Sequence, residues 1–272
     1  MGAAAILGWM SALLQRLGVE LPIVQAGMGG GLAAHELAAA VADAGGLGTI
    51  GILGPDELRA EIAAVRRATD GPLAVNLLLP FARPAHFEAA SEADVVVTFW
   101  GRPKRRTAKA WMHQCGSVEE ALVARAAGAD AVVSGTRFLM SDECGAHPAY
   151  KERSREAGET ILTELFGVGW PAQHRVIPNE ATARWLRGDP RGPGWLRGLH
   201  AATAPLASRV PVGVQIRMAA SQRPSRPLFG PAAATVGGPP SLVEAGPLYA
   251  GECIDRIDDI RPAGELVREL AG

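Results

Sequence analysis

Along its first half the chain alternates two kinds of stretch. Short apolar runs are separated by longer segments in which apolar residues recur every three or four positions. Leu21–Met28 is an apolar run closed by glycines, as expected of a strand buried on both faces. A helix at about Ala34–Ala44 follows and ends at Gly45-Gly46, and Leu47–Leu53 reads as the second strand. The segment PDELRAEIAAVRRA puts Leu58, Ile62 and Val65 on one helical face with charges opposite. Pro72–Pro80, Asp94–Trp100 and Lys109–Cys115 read as strands three, four and five. A helix opened by Ser117 and Glu120, spaced as a capping box, runs to Gly128. The apolar part of ADAVVSGTRF is then the sixth strand.

Alternation of this kind requires a parallel sheet with helices outside it. Five or six successive units with buried strands favour a TIM-type (β/α) barrel over a doubly wound sheet. Functional groups are then expected at the C-terminal ends of the strands. Those ends read Gln25-Ala26-Gly27-Met28, Asn76, Trp100, His113-Gln114 and Gly135-Thr136-Arg137. After about Ala157 the alternation stops. ETILTELFGVGW reads as one more helix, and Pro171 to Pro247 is rich in Pro, Gly and Arg, with helical patches near Thr182–Arg187 and Leu196–Ala207. The last 32 residues read as one or two closing helices. The expected organisation is a barrel core over 10–170 and a mostly helical and loop C-terminal extension over 171–272 that packs on the barrel mouth.

Composition narrows the function classes. The chain has 272 residues, 48% hydrophobic and 20% charged, with a net charge of −1. A nearly neutral globular chain gives no footprint for nucleic acid, and the basic run Lys104-Arg105-Arg106 reads as a solvated loop. Cys115, Cys144 and Cys253 are widely spaced and form no CxxC pair, so neither a disulfide framework nor a metal site is expected. A reducing cytoplasm fits. The apolar start MGAAAILGW lacks the basic region of a signal peptide, no apolar run is long enough for a membrane span, and Met10 reads as the natural start.

Several stretches, in this order, resemble the nitronate monooxygenases (2-nitropropane dioxygenases), which are FMN-dependent TIM barrels. They are PIVQAGMGGG, DAGGLGTIG, AVNLLLP, SVEEALVARAAGADAV and GTRFLMSDECGAHPAYK, with FGVGWPAQHRVIPN and LYAGE further on. The resemblance implies an oxidoreductase that acts on an alkyl nitronate with O2, giving a carbonyl compound and nitrite. It implies that Ala26, Gly27 and Met28 form the backbone turn under the flavin ring, where a chain without bulk can approach closely. Gly27 stands where relatives usually have proline. Asn76 matches the amide that hydrogen-bonds the flavin, and Gly135 and Thr136 match the pair whose backbone N–H groups hold the FMN phosphate.

One stretch departs from the family. There, the strand after the SVEEA helix ends in a segment resembling Gln-Gly-x-x-Ala-Gly-Gly-His, whose histidine is the proposed base. A further unit ends in Ala-Gly-Gly-Ile, half of the phosphate cradle, before the strand that leads to GTRFL. Here AGADAVV serves as the end of one unit and the start of another, so an internal deletion is expected at about Asp130–Ala131. From the size of a βαβ element the loss is about 60–80 residues. Strand number, tilt and shear are coupled in a barrel, so a shortened barrel of about six units would open two edges. No catalytic residue is assigned. Loss of a general base typically costs about 10²–10⁴-fold, so impaired activity is expected. His113 is the histidine nearest a strand end and reads as packed, and His147 reads as structural. The alternatives are an NAD(P)H-dependent enoyl-thioester reductase on the same barrel, a non-catalytic remnant or binding module that uses the remaining pocket or pairs its open edges into a homodimer, and a mis-spliced or mis-assembled gene.

Overall fold

The structure, a computed structural model, describes residues 12–79, 81–99, 109–114, 132–169, 172–207, 210 and 212–271. The expected junction at Asp130–Ala131, the Ser117 capping box, Met10 and Lys104–Arg106 lie outside these. The chain divides into two compact units, 1–145 with 260–272, and 146–259.

The first unit alternates strand and helix: α1 (Ala12–Arg16), β1 (Ile23–Gln25), α2 (His35–Asp43), β2 (Gly48–Ile50), α3 (Pro55–Ala68), β3 (Leu73–Leu78), α4 (Pro84–Ala90), β4 (Val95–Phe99), β5 (Ala110–Gln114), β6 (Val132–Ser134) and α5 (Thr136–Leu139). Every strand pairing in it is parallel. β2, β3, β4 and β5 form one sheet, β1 pairs with β6, and a bridge between Val24 and Leu47 joins β1 to β2. The order is therefore β6-β1-β2-β3-β4-β5. β6 stands beside β1, the place a barrel gives its last strand, and among the described residues β5 and β6 are not paired.

The sequence pattern explains the layers. In α3, Leu58, Ile62 and Val65 are all buried, as their spacing predicts, and they pack with Leu73, Val75, Leu77 and Val96 between helices and sheet. Alternate strand residues, Ala74, Val95 and Val97, face the other way and pack with Val24, Leu47 and Leu14. A strand covered on both faces in this way reads as a continuous apolar run. At the far end of α3, Arg66 bonds Asp94 at 2.6 Å, and the same carboxylate oxygen accepts from Leu73 N at 2.9 Å, tying helix, β3 and the start of β4 together.

The second unit holds α6 (Pro148–Arg155), the antiparallel pair β7 (Ile161–Thr163) and β8 (His174–Val176), α7 (Glu180–Trp185), α8 (Gly194–Ala207), α9 (Val212–Ala220) and α10 (Leu242–Ala245). Its core gathers Leu165, Phe166, Val176, Leu196 and Phe229. ETILTELFGVGW is not the helix its pattern predicts. Its backbone donors are taken elsewhere: Glu164 N by Arg191 O, Leu165 N by Thr163 Oγ1 and Phe166 N by His174 Nε2. A helix needs those donors for itself. α9 likewise lies in a stretch whose composition reads as irregular.

Candidate functional site

The six residues singled out by motif all belong to the first unit; five follow the C-terminal ends of β1 and β6, and Asn76 lies inside β3, two residues before its end. Gly27 packs directly on β3. A Cβ built on it would lie 2.3 Å from Asn76 Cβ, closer than a side chain tolerates, and 3.2 Å from the Thr49 methyl, a tight contact. Asn76 itself is buried. On the other side, Ala26 N donates to Ser134 O at 2.8 Å, and a Cβ on Gly135 would lie 3.6 Å from that of Ala26. The turn Ala26–Met28 thus sits between Asn76 and the Gly135-Thr136 pair. Gly135 precedes α5, a single short turn opened by Thr136, whose Leu139 N returns to Gly135 O at 2.9 Å.

The loop after the turn is fastened by its neighbours. Met28 O accepts from Ala33 N at 3.1 Å, and Gly51 approaches that carbonyl so closely that a Cβ would lie 2.0 Å from it. Gly51 N donates to Ala33 O at 3.0 Å. From the segment after β6, Cys144 Sγ and Gly145 N both reach Leu32 O, at 3.2 and 3.0 Å. A Cβ on Gly145 would lie 2.2 Å from Gly31 O. Gly30 and Gly31 have φ of 71° and 87°, a conformation suited to glycine. Three motif stretches far apart in sequence therefore meet at backbone contact distance.

Two buried polar groups beside the turn lie within the motif stretches but are not among the residues singled out for the site. Gln25, fully buried, accepts from Thr49 N at 2.9 Å through Oε1 and donates from Nε2 to Ala26 O. Thr49 is buried, and its Oγ1 has no partner among the described residues. Alternation would have placed Leu47 and Thr49 on one face, but a single hydroxyl in LGTIGIL does not announce a site.

Two histidines at this end of the unit have Nδ1 engaged. His35 N and Nδ1 both meet Glu61 Oε2, at 2.7 and 2.9 Å. His86 Nδ1 accepts from Arg83 N at 3.1 Å, and burial, with the Arg83 charge, lowers its pKa. His113 of β5 lies opposite Thr98 of β4. Among the described residues no group of acidic, His or Cys side chains could hold a metal, and no helix is long and apolar enough to cross a membrane. A shallow cleft of about 440 Å³, lined by residues such as Arg153, Glu156 and Ile177, belongs to the second unit and includes none of the motif residues.

Parallel strands, an outer helix layer and glycine turns gathered at the strand C-termini define the TIM (β/α) barrel class. Two solved structures agree in fold: FabK from Thermotoga maritima (TM-score 0.66, 23% identity, 94% of this chain and 93% of that one) and nitroalkane oxidase from Streptomyces ansochromogenes (TM-score 0.63, 20% identity, 96% and 97%). The family model for nitronate monooxygenase matches residues 10–120 and 112–272. The chain belongs to the nitronate monooxygenase family, whose members are flavin-dependent oxidoreductases. A nitronate monooxygenase from Pseudomonas aeruginosa is 30% identical over 247 residues, covering 72% of this chain and 66% of that protein. A probable nitronate monooxygenase from Staphylococcus saprophyticus is 50% identical over 66 residues, 24% of this chain and 18% of that protein. The matches thus span less than two thirds of these relatives' length.

Proposed function

We propose that this chain is an FMN-binding oxidoreductase of the nitronate monooxygenase type with impaired turnover. The observation that carries the proposal is the meeting of Gly27 with Asn76 and of Ala26 with Gly135 at the strand ends. These residues fit a flat, polar-edged cofactor. A turn without side-chain bulk offers backbone to a ring face, a buried amide stands next to it, and the unpartnered Thr49 hydroxyl leaves a polar group to satisfy.

In this reading Ala26, Gly27 and Met28 support the ring, Asn76 hydrogen-bonds its polar edge, and the backbone N–H groups of Gly135 and Thr136 face the phosphate. Bound flavin supplies the redox chemistry, taking electrons from an alkyl nitronate and passing them to O2. The chain's own part is to orient the cofactor and exclude water. His35 and His86, at this end of the unit, are held through Nδ1, by the Glu61 carboxylate and by Arg83 N. Impairment rests on the two units expected to be missing. The split of the family match into segments that meet at 112–120, and the pairing of β6 with β1, both support that reading. A cytoplasmic location and a homodimer complete the proposal.

The test is a flavin titration of the purified chain. A stoichiometric yellow complex with FMN, and slow nitrite release from alkyl nitronates, is the expected result. A colourless chain that takes up no FMN at high micromolar concentration overturns it and favours the non-catalytic remnant. NAD(P)H consumption with an enoyl thioester would move the assignment to the reductase alternative.

A further inference from the structure

Gln25 holds a position that its place in a strand does not require. β1 and β2 begin a regular parallel ladder: Leu47 N donates to Ile23 O and Gln25 N to Leu47 O, at 2.9 and 3.1 Å. Continued by one step, the ladder would bring Thr49 N to the main-chain carbonyl of Gln25. Instead Thr49 N donates to the side chain, Gln25 Oε1, at 2.9 Å. The other end of the same carboxamide donates to Ala26 O. Meanwhile Ala26 N stays with β6, on Ser134 O at 2.8 Å. β1 therefore leaves β2 at Gln25 while remaining paired with β6, and one side chain fills the gap. That departure lets Gly27 fold onto Asn76 instead of running on beside β2.

We infer that Gln25 is a positioning residue: its carboxamide wedges β1 away from β2 and fixes the Ala26–Met28 turn for the cofactor ring. The inference rests on the flavin reading of that turn. Its physical basis does not. Gln25 is fully buried, so both ends of its amide must be paired. The two bonds it makes run to the backbone on either side of the gap. No aliphatic side chain can make them, and a carboxylate can make only the one to Thr49 N, because it has no proton to give Ala26 O.

The experiment compares the full chain with Gln25→Met and Gln25→Glu. Amide hydrogen exchange is followed by NMR at Thr49, with Val96 on β4 as internal reference. FMN affinity and the spectrum of bound FMN are measured alongside. In Gln25→Met, Thr49 exchange is expected to rise about tenfold or more while Val96 is unchanged, the size of one lost buried hydrogen bond. FMN binding is expected to weaken by about tenfold, with a shifted spectrum. In Gln25→Glu, Thr49 stays protected but FMN binding is still weakened, which a purely structural filler would not produce. Unchanged Thr49 exchange in Gln25→Met overturns the inference, as does wild-type FMN affinity in both variants. Should Gln25→Met fail to fold, Gln25→Glu decides by FMN affinity and spectrum. If the unaltered chain binds no FMN, the flavin reading fails. Thr49 exchange then still decides whether Gln25 holds the gap.

Discussion

At the scale of single residues, the contact between Gly27 and Asn76 is the most demanding in the candidate site. A methyl group at 27 would lie 2.3 Å from Asn76 Cβ, and no side-chain rotation can move either Cβ, because the backbone sets both. Gly27→Ala should therefore destabilise the first unit by about 1–3 kcal/mol, the range for overpacking. Urea unfolding measures this. Because the obstacle is Asn76 Cβ, Gly27→Ala combined with Asn76→Gly should cost less than the two changes added together. Additive costs would place the crowding elsewhere. Proline at 27 would meet the same obstacle, so the family's usual residue does not fit this turn as it stands. In the second unit, burial, opposed by the Ala172 carbonyl and assisted by His200, pushes the His174 imidazole down to about 4. A histidine with a lowered folded pKa is held neutral, so the unfolded chain binds the proton more readily. Its contribution is full above the unfolded value of 6.5 and is lost as pH falls through about 4. The loss should approach about 3 kcal/mol. Stability curves at pH 7 and pH 4 should converge less steeply in His174→Gln. Equal pH slopes for the two proteins would remove His174 from the acid response.

At the scale of elements, α2 starts without a side-chain cap of its own. Ala34 stands at the N-cap and offers no oxygen, and Glu61 from the middle of α3 accepts from His35 N instead. The same carboxylate oxygen holds the His35 ring, so one residue fixes both the helix start and its angle to α3. Glu61→Ala should cost about 1 kcal/mol, as for loss of an N-cap. A cost inside the surface-substitution range of about 0.5 kcal/mol would show that water replaces the cap. This bond illustrates what the sequence shows and what it hides. The six strands of the first unit and the buried face of α3 are legible, because burial imposes a period that can be read locally. Strand ends are not. Leu21–Met28 reads as one strand, but the ladder runs only from Ile23 to Gln25, because Glu20 N and Leu21 N go to Gly45 O and Thr49 N goes to a side chain. Glu61, Gln25 and Thr49 matter through partners 24 or 26 positions away, and no local pattern records such pairs. The misread helix at ETILTELFGVGW has the same origin, since Arg191 and His174 claim its donors. Motif spacing brought the turn, Asn76 and Gly135-Thr136 to one end of the sheet. It could not show that the turn touches Asn76.

At the scale of the whole molecule, the order β6-β1-β2-β3-β4-β5 is that of a barrel read with a gap. In a closed barrel each strand pairs with the next and the last returns to the first. Here the return exists, β6 on β1, while the step from β5 to β6 is not made among the described residues. The family model likewise matches in two segments that overlap at 112–120, and 66% of the Pseudomonas aeruginosa relative is covered. These observations support the proposed loss of units between β5 and β6, which the sequence reading puts at the AGADAVV junction. The cost of the gap can be measured by filling it. Inserting the corresponding two βα units of that relative, about 60–80 residues, between Asp130 and Ala131 supplies two strands for the gap. It also returns the segments that the family resemblance assigns to the base and to the second half of the phosphate cradle. FMN affinity should rise by at least about tenfold, for one or two regained backbone hydrogen bonds to a charged phosphate. Nitrite release from alkyl nitronates should rise by about 10²–10⁴-fold, the worth of a general base. The two gains separate the two losses. A graft that tightens FMN binding without faster turnover would locate the defect in the cradle and not in the base. A folded, monodisperse graft that binds FMN no better than the natural chain would show that the strand ends of β1, β3 and β6 already suffice. The shortened barrel would then have to be regarded as a working arrangement in its own right.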